Sequence, residues 1–222
     1  MAPRPLIALL LLLLVSSLGA GPGAASAAEC VALDNFSQGR LGEFPPEWKP
    51  RKESGRSVYS LREEGGRRFL RGVARRIGIQ AGREAAWNLE AYPILAWSWR
   101  PIEFPANSDE RKSGTNDSAV SVYAVFSTSP VSVKSVKYVW SRVVPAGTHL
   151  TSSAGNTQVR ILRSSAQAGQ WADEQVNVRE DYQKYFGGSE VPKPGGIAVL
   201  TDSDDTKSSA QGDYADFRVC KP

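Results

Sequence analysis

Apolar and polar residues alternate through most of the chain beyond residue 56, with the period of two that a half-buried strand requires. In "ILAWSWRPI" (residues 94–102) Leu95, Trp97 and Trp99 share one face, and in "SVKYVWSRVV" (135–144) Val136, Tyr138 and Trp140 do the same. "AVSVYAVFS" (119–127) is apolar on both faces, as a central strand would be. "SVYSL" (57–61), "RRFLRGVA" (67–74), "TQVRILRS" (157–164), "GIAVLTD" (196–202) and "YADFRV" (214–219) complete the series. Turn-rich stretches such as "PANSDERKSGTND" and "VPAGTHLTSSAGN" separate them. Short strands at this spacing predict an all-β fold, an antiparallel β-sandwich or jelly roll.

One segment has a different period. In "NVREDYQKYFGG" Asn177 stands three residues before Glu180, a capping-box spacing, and Gly187 supplies a stop. Tyr182, Tyr185 and Phe186 fall at helical spacing, so a short helix near 178–186 is expected to lay an aromatic face on the sandwich.

The first 27 residues belong to neither pattern. Arg4, an apolar stretch from Leu6 to Leu18 and the small-residue tail Ala25-Ser26-Ala27 follow the order of a secretory signal peptide. The apolar stretch is too short for a spanning helix. Glu29 argues against lipidation of Cys30, because such sites want a small residue there. The reading is a signal peptide over 1–27, a single sandwich domain over 28–222 with no membrane span, and a periplasmic or secreted location.

Export alters the meaning of the two cysteines, Cys30 and Cys220, at opposite ends of the exported part. An oxidising compartment permits a disulfide, and closing so long a loop is worth about 5 kcal/mol in the chain-entropy model. Two free buried thiols are the alternative. Charge adds little: 27 Lys and Arg against 23 Asp and Glu give +4, with the basic residues scattered, which is no nucleic-acid signature. The densest basic stretch, residues 67–76, is expected to form two short strands with arginines on the wet face.

Candidate chemistry is sparse. His149 is the only histidine and lies in a Pro/Gly/Ser-rich stretch, so zinc clusters built on histidines are excluded and a surface role is expected. No glycine-rich phosphate loop occurs, and no catalytic residue is assigned. Asp202, Asp204 and Asp205 form an acidic knot between the last two strands. They are candidate ligands for a structural calcium ion, although side-chain-capped turns use the same residues without metal. Six tryptophans in one domain suggest either a large aromatic core or stacking against sugars. Most are expected inside. Trp48 in "EFPPEWKP" and Trp171 in "AGQWADEQ" lie in loops and are the candidates for exposed stacking, with Asp204 and Asp205 as acceptors for hydroxyls.

The phrases "FSQGRLGEFPPEW", "ILAWSWRP", "NDSAVSVYAVF", "KYVWS", "WADEQVNVREDYQKYFG" and "GGIAVLTDSDDTKSSAQGDYADF" together resemble domain-of-unknown-function family 3047, exported bacterial proteins. The resemblance implies no activity. The family often carries Arg where this chain has Ser121 and Val176, so a site built on those arginines would be altered here. More distantly, "YADFRV" after a polar turn is similar to the end of galactose-binding-like jelly rolls, which implies a ligand-binding module with calcium in the aspartate turn. The expected function is therefore an exported, non-catalytic module for a glycan or an envelope partner. The alternatives are a carboxylate-dependent, metal-assisted enzyme acting on cell-envelope saccharides and a purely structural envelope protein.

Overall fold

The computed structural model describes residue 1, residues 29–129 and residues 132–222. The expected signal peptide therefore falls almost wholly outside the described residues. The strands are β1 (Cys30–Asp34), β2 (Lys49–Pro50), β3 (Tyr59–Glu64), β4 (Arg67–Arg75), β5 (Ala81–Glu84), β6 (Ile94–Glu103), β7 (Val120–Ser129), β8 (Ser132–Ser141), β9 (His149–Thr151), β10 (Thr157–Ser164), β11 (Ala172–Asn177), β12 (Pro194–Leu200) and β13 (Ser209–Cys220). The helix α1 (Val178–Phe186) lies between β11 and β12. Two sheets stack. The first runs β11-β6-β13-β4-β3, with β1 also paired to β13, and the second runs β2-β5-β12-β7-β8-β10-β9. The β-sandwich expected from the pattern is the observed fold.

Alternation decides what lies between the sheets. Leu61, Leu70, Trp97 and Trp99 from the first sheet meet Val120, Val122, Phe126, Tyr138, Ile197 and Val199 from the second in one core. The tryptophans there are packed ring to ring: Trp97 meets Trp99 edge-on at 5.3 Å and Tyr138 at 5.5 Å, and Trp99 meets Trp140 at 6.0 Å. β7 sits between β12 and β8 and is central, as its two apolar faces require. The sheets close tightly at Gly212 of β13, where a Cβ would come within 2.6 Å of the Ala119 carbonyl oxygen. Glycine permits that approach.

Two details differ from expectation. The second sheet is mixed, because β10 runs parallel to β8 over Thr157–Ser164. The three-residue β9 reverses the chain at the sheet edge and pairs antiparallel with β10, so β10 enters between β8 and β9 in the direction of β8. The stretch from residue 67 likewise forms one strand, β4, rather than two short ones. His149 lies on β9, where its exposed ring stacks on Tyr185 at 4.1 Å.

Helix α1 starts and stops where expected. The Asn177 side chain accepts from the Glu180 N–H at 3.1 Å, and Gly187 ends the helix at φ 74°. Tyr182 packs on Phe126 at 4.7 Å, while Asp181 accepts hydrogen bonds from Tyr138 and Arg160. In the same row of the first sheet as Asn177, Cys30 and Cys220 are disulfide-bonded, as expected, and stand opposite each other in the β1–β13 register.

Candidate functional site

The outer face of the second sheet carries a set of polar groups that converge on a cavity. There β7 presents Ser121, Tyr123 and Val125, and β8 presents Ser135, Lys137 and Val139, because their alternate neighbours point into the core. Tyr123 and Lys137 stand side by side in the register, and the ammonium lies 5.7 Å from the ring centroid. The segment joining β6 to β7 lies over this face. Within it Asp109 is gripped by Arg111 through two hydrogen bonds of 2.7 and 2.8 Å, which hold its carboxyl well below the usual carboxylate range.

That grip sets the next residue, Glu110, against the end of β8. Glu110 Oε2 accepts from the Ser141 hydroxyl at 2.5 Å, and the same hydroxyl accepts from the Val144 N–H. Its other oxygen, Oε1, is buried without a partner. Burial pushes the Glu110 carboxyl up, against the Ser141 hydrogen bond that pulls it down. Lys137 is 9% exposed; burial pulls its pKa down, yet Tyr123, Asp202 and Glu110 outweigh that and hold the ammonium above its ordinary value. Glu110, Tyr123 and Lys137 line a cavity of about 480 Å³ together with Arg51, Gln80, Asn116 and Thr157. Arg51 also borders a neighbouring depression of about 340 Å³ floored by Gly82, Val125, Gly196 and Ala198. The face thus offers fixed charges, amide and hydroxyl groups beside a smooth apolar floor, the mixture that small-molecule sites use.

The acidic knot lies on the turn that carries the chain from β12 to β13. Asp202 bridges to Gly78 and donates its N–H to the Ser118 carbonyl at 3.0 Å. Asp117, fully buried, accepts from the Asp205 N–H (3.2 Å), the Thr206 N–H (2.7 Å) and the Thr206 hydroxyl (2.6 Å). Asp117, Asp204 and Asp205 each bring an oxygen within 4.8 Å of the others. Asp202, only 7% exposed, lies against Asp204, and burial followed by that contact pushes its carboxyl well above the usual range. Sequence reasoning identified three of these four carboxylates. It missed Asp117, which is 88 residues before Asp205 and meets it only through the fold.

The stacking candidates behave differently from expectation. Trp48 is 2% exposed, packed on Phe36 and Phe217, and its indole N–H donates to Asp34 at 2.7 Å. It is a core residue: the proline-rich stretch folds its large apolar ring inward and satisfies its one polar atom there. Trp171 is half-buried on the outer face of the first sheet. The guanidinium groups of Arg67 and Arg100 lie 4.2 and 4.7 Å from its ring, and Phe69 meets it edge-on at 5.5 Å. Its surroundings are the protein's own arginines, which are in turn neutralised. Arg71 grips the fully buried Asp213 at 2.7 and 2.9 Å, Arg100 reaches the same carboxylate at 2.9 Å, and Arg67 pairs with Asp216. Trp48, Trp171 and the Asp204–Asp205 turn therefore occupy three separate places. Ser121 lies fully buried on β7 with its hydroxyl 2.6 Å from that of Ser118, and Val176 lies in the core.

Comparison with known proteins gives one match of sequence. The model of a family described as protein of unknown function, DUF3047, matches residues 46–218. No curated protein matches the chain. Among solved structures, a family 11 xylanase from Neocallimastix patriciarum is 11% identical with a TM-score of 0.40, over 88% of this chain and 100% of that one. Endoglucanase 3 of family GH12 from Trichoderma harzianum is 8% identical with a TM-score of 0.42, over 90% and 100%. A carbohydrate-binding module specific for non-crystalline cellulose, CBM28, is 10% identical with a TM-score of 0.39, over 80% and 89%. Likenesses this slight carry no argument about activity.

Proposed function

The chain belongs to that family, DUF3047, and from this premise we propose that it is an exported, non-catalytic module that binds a saccharide over the outer face of the second sheet. The observation that supports this reading is the convergence of Lys137, Tyr123, Glu110, Asn116 and Arg51 on one cavity of about 480 Å³. A polyhydroxylated ligand accepts hydrogen bonds from charged donors, donates them to carboxylates and lays its C–H faces on an aromatic ring, and Lys137, Glu110 and Tyr123 on this wall supply these groups. Lys137 and Tyr123 are held side by side on neighbouring strands, so little side-chain freedom is lost on binding.

The test is calorimetric titration of the disulfide-bonded protein with oligosaccharides prepared from bacterial envelope polymers. The expected result is a saccharide that binds the wild type and binds Lys137→Met at least about tenfold more weakly, the loss of one charge-assisted hydrogen bond. Saccharides that bind Lys137→Met and wild type equally, or none that binds at all, would remove the proposal.

Glu110 favours a second reading, carboxylate-dependent hydrolysis of an envelope saccharide. A buried carboxyl with a raised pKa and one unpartnered oxygen on a cavity wall has the properties of a proton donor. Release of new reducing ends by wild type but not by Glu110→Gln, with binding retained by the variant, would select the enzyme over the binding module.

A further inference from the structure

We propose that Asp117, Asp202, Asp204 and Asp205 hold a calcium ion that ties the turn between β12 and β13 to the segment leading into β7. Three independent observations carry it. First, Asp117, Asp204 and Asp205 already bring one oxygen each within 4.8 Å of one another. Oxygens on opposite sides of a calcium ion, each about 2.3–2.6 Å from it, stand about that far apart. The donor set is oxygen only, which selects a hard cation.

Second, the fourth carboxylate is buried and unsatisfied. Asp202 is 7% exposed, and its Oδ1 has no hydrogen-bond partner. It points to the same spot as Asp204 Oδ1: a Cβ built on Gly78 would strike Asp202 Oδ1 and come within 2.8 Å of Asp204 Oδ1. Glycine leaves room there for two carboxylates to converge. Such convergence without a positive charge between them is costly.

Third, the protein treats its other shielded aspartates differently. Asp213 is held by Arg71 and Arg100, Asp181 by Arg160, and Asp109 by Arg111. Asp117 instead takes only neutral donors, from Asp205 and Thr206. The cations felt by the cluster act at a distance, Lys137 on Asp202 and Lys207 on Asp205. Three carboxylates on the turn and Asp117 beside it thus lack the guanidinium that their counterparts possess, and a divalent cation supplies the missing charge.

The experiment uses the full chain with its disulfide intact, stripped with a chelator and titrated with calcium chloride, with magnesium chloride as a parallel arm. One calcium ion per chain is expected, with a rise in Tm of about 5–10 °C at free calcium a hundredfold above its Kd. Asp204 and Asp205 are exposed, so the double variant Asp204→Asn/Asp205→Asn, relieved of like charge, is expected to melt without metal at or above the metal-free wild type and to lose both the binding heat and the calcium-dependent rise. Absence of any calcium effect on the wild type overturns the proposal. So does a calcium response that survives in the double variant, or a rise produced by magnesium and not by calcium.

Discussion

Glu110 and Asp213 show how differently one buried carboxylate behaves from another. Asp213 is fully buried but receives Arg71 through two hydrogen bonds and Arg100 through a third. Replacing it with Ala leaves two guanidiniums facing each other beneath Trp171 and Phe69. Removing one partner from such a network costs about 3–5 kcal/mol, so Asp213→Ala is expected to lower the urea midpoint by that equivalent; a loss below about 1 kcal/mol would show that the arginines find other partners. Glu110 has no cation in contact, and burial raises its pKa. The folded state therefore holds the Glu110 proton more tightly than the unfolded chain, whose value is about 4.3. The stability from that proton is complete below the unfolded value and is lost as pH rises through the folded one. Glu110→Gln should consequently melt above the wild type at pH 7 and together with it near pH 4. Equal melting temperatures at pH 7 would contradict the burial argument.

At the scale of elements, the sequence was most legible where one side chain answers one physical demand. Helix α1 is bounded by Asn177 and Gly187, and both perform at the backbone what their types suggest. Its nine residues are too few to persist alone, so the cap contributes visibly: Asn177→Ala is expected to cost about 1 kcal/mol of stability by denaturant titration. No change would mean that Tyr182 on Phe126 holds the helix unaided. Long strands were equally readable, because Trp97 and Trp99 or Val136, Tyr138 and Trp140 declare a face by alternation. The two residues of β2 and the three of β9 are too short to show a period. The parallel pairing of β10 with β8 depends on where β9 turns back, which no local pattern encodes. Loop placement misled for Trp48, since a loop can carry a ring into the core when Asp34 waits for its N–H. Half of the acidic cluster's logic was hidden for a related reason. Asp202, Asp204 and Asp205 are neighbours in sequence, but Asp117 and the bare Cα of Gly78 arrive from other parts of the chain. The cleft residues Glu110, Tyr123 and Lys137 had no motif at all, because they converge from a loop and two strands.

At the scale of the whole molecule, one covalent bond closes the chain. Cys30 and Cys220 are 190 residues apart in sequence, yet they are register partners at the ends of β1 and β13. The first three residues of β1 are exposed, and besides its pairing to β13 and the disulfide the strand is held at its far end by Leu33 on the core and by the Trp48 N–H on Asp34. Neither cysteine belongs to the core cluster that joins the sheets, from Phe36 to Val219, so the bond is expected to act on the unfolded chain more than on the sandwich. Loop closure over that length is worth about 5 kcal/mol at most in the entropic model. The double variant Cys30→Ala/Cys220→Ala should fold to the same sandwich, with unchanged far-ultraviolet circular dichroism and the same tryptophan bands, because neither the β13 pairing to β4 nor the Trp97–Trp99 packing involves the cysteines. Its urea midpoint should fall by the equivalent of about 2–5 kcal/mol. Its m value should rise, since an unfolded chain released from the crosslink exposes more surface. A fall in midpoint with no change in m would place the effect in the native state, as fraying of β1, and would show that the bond's main work is to fasten that strand to the sheet.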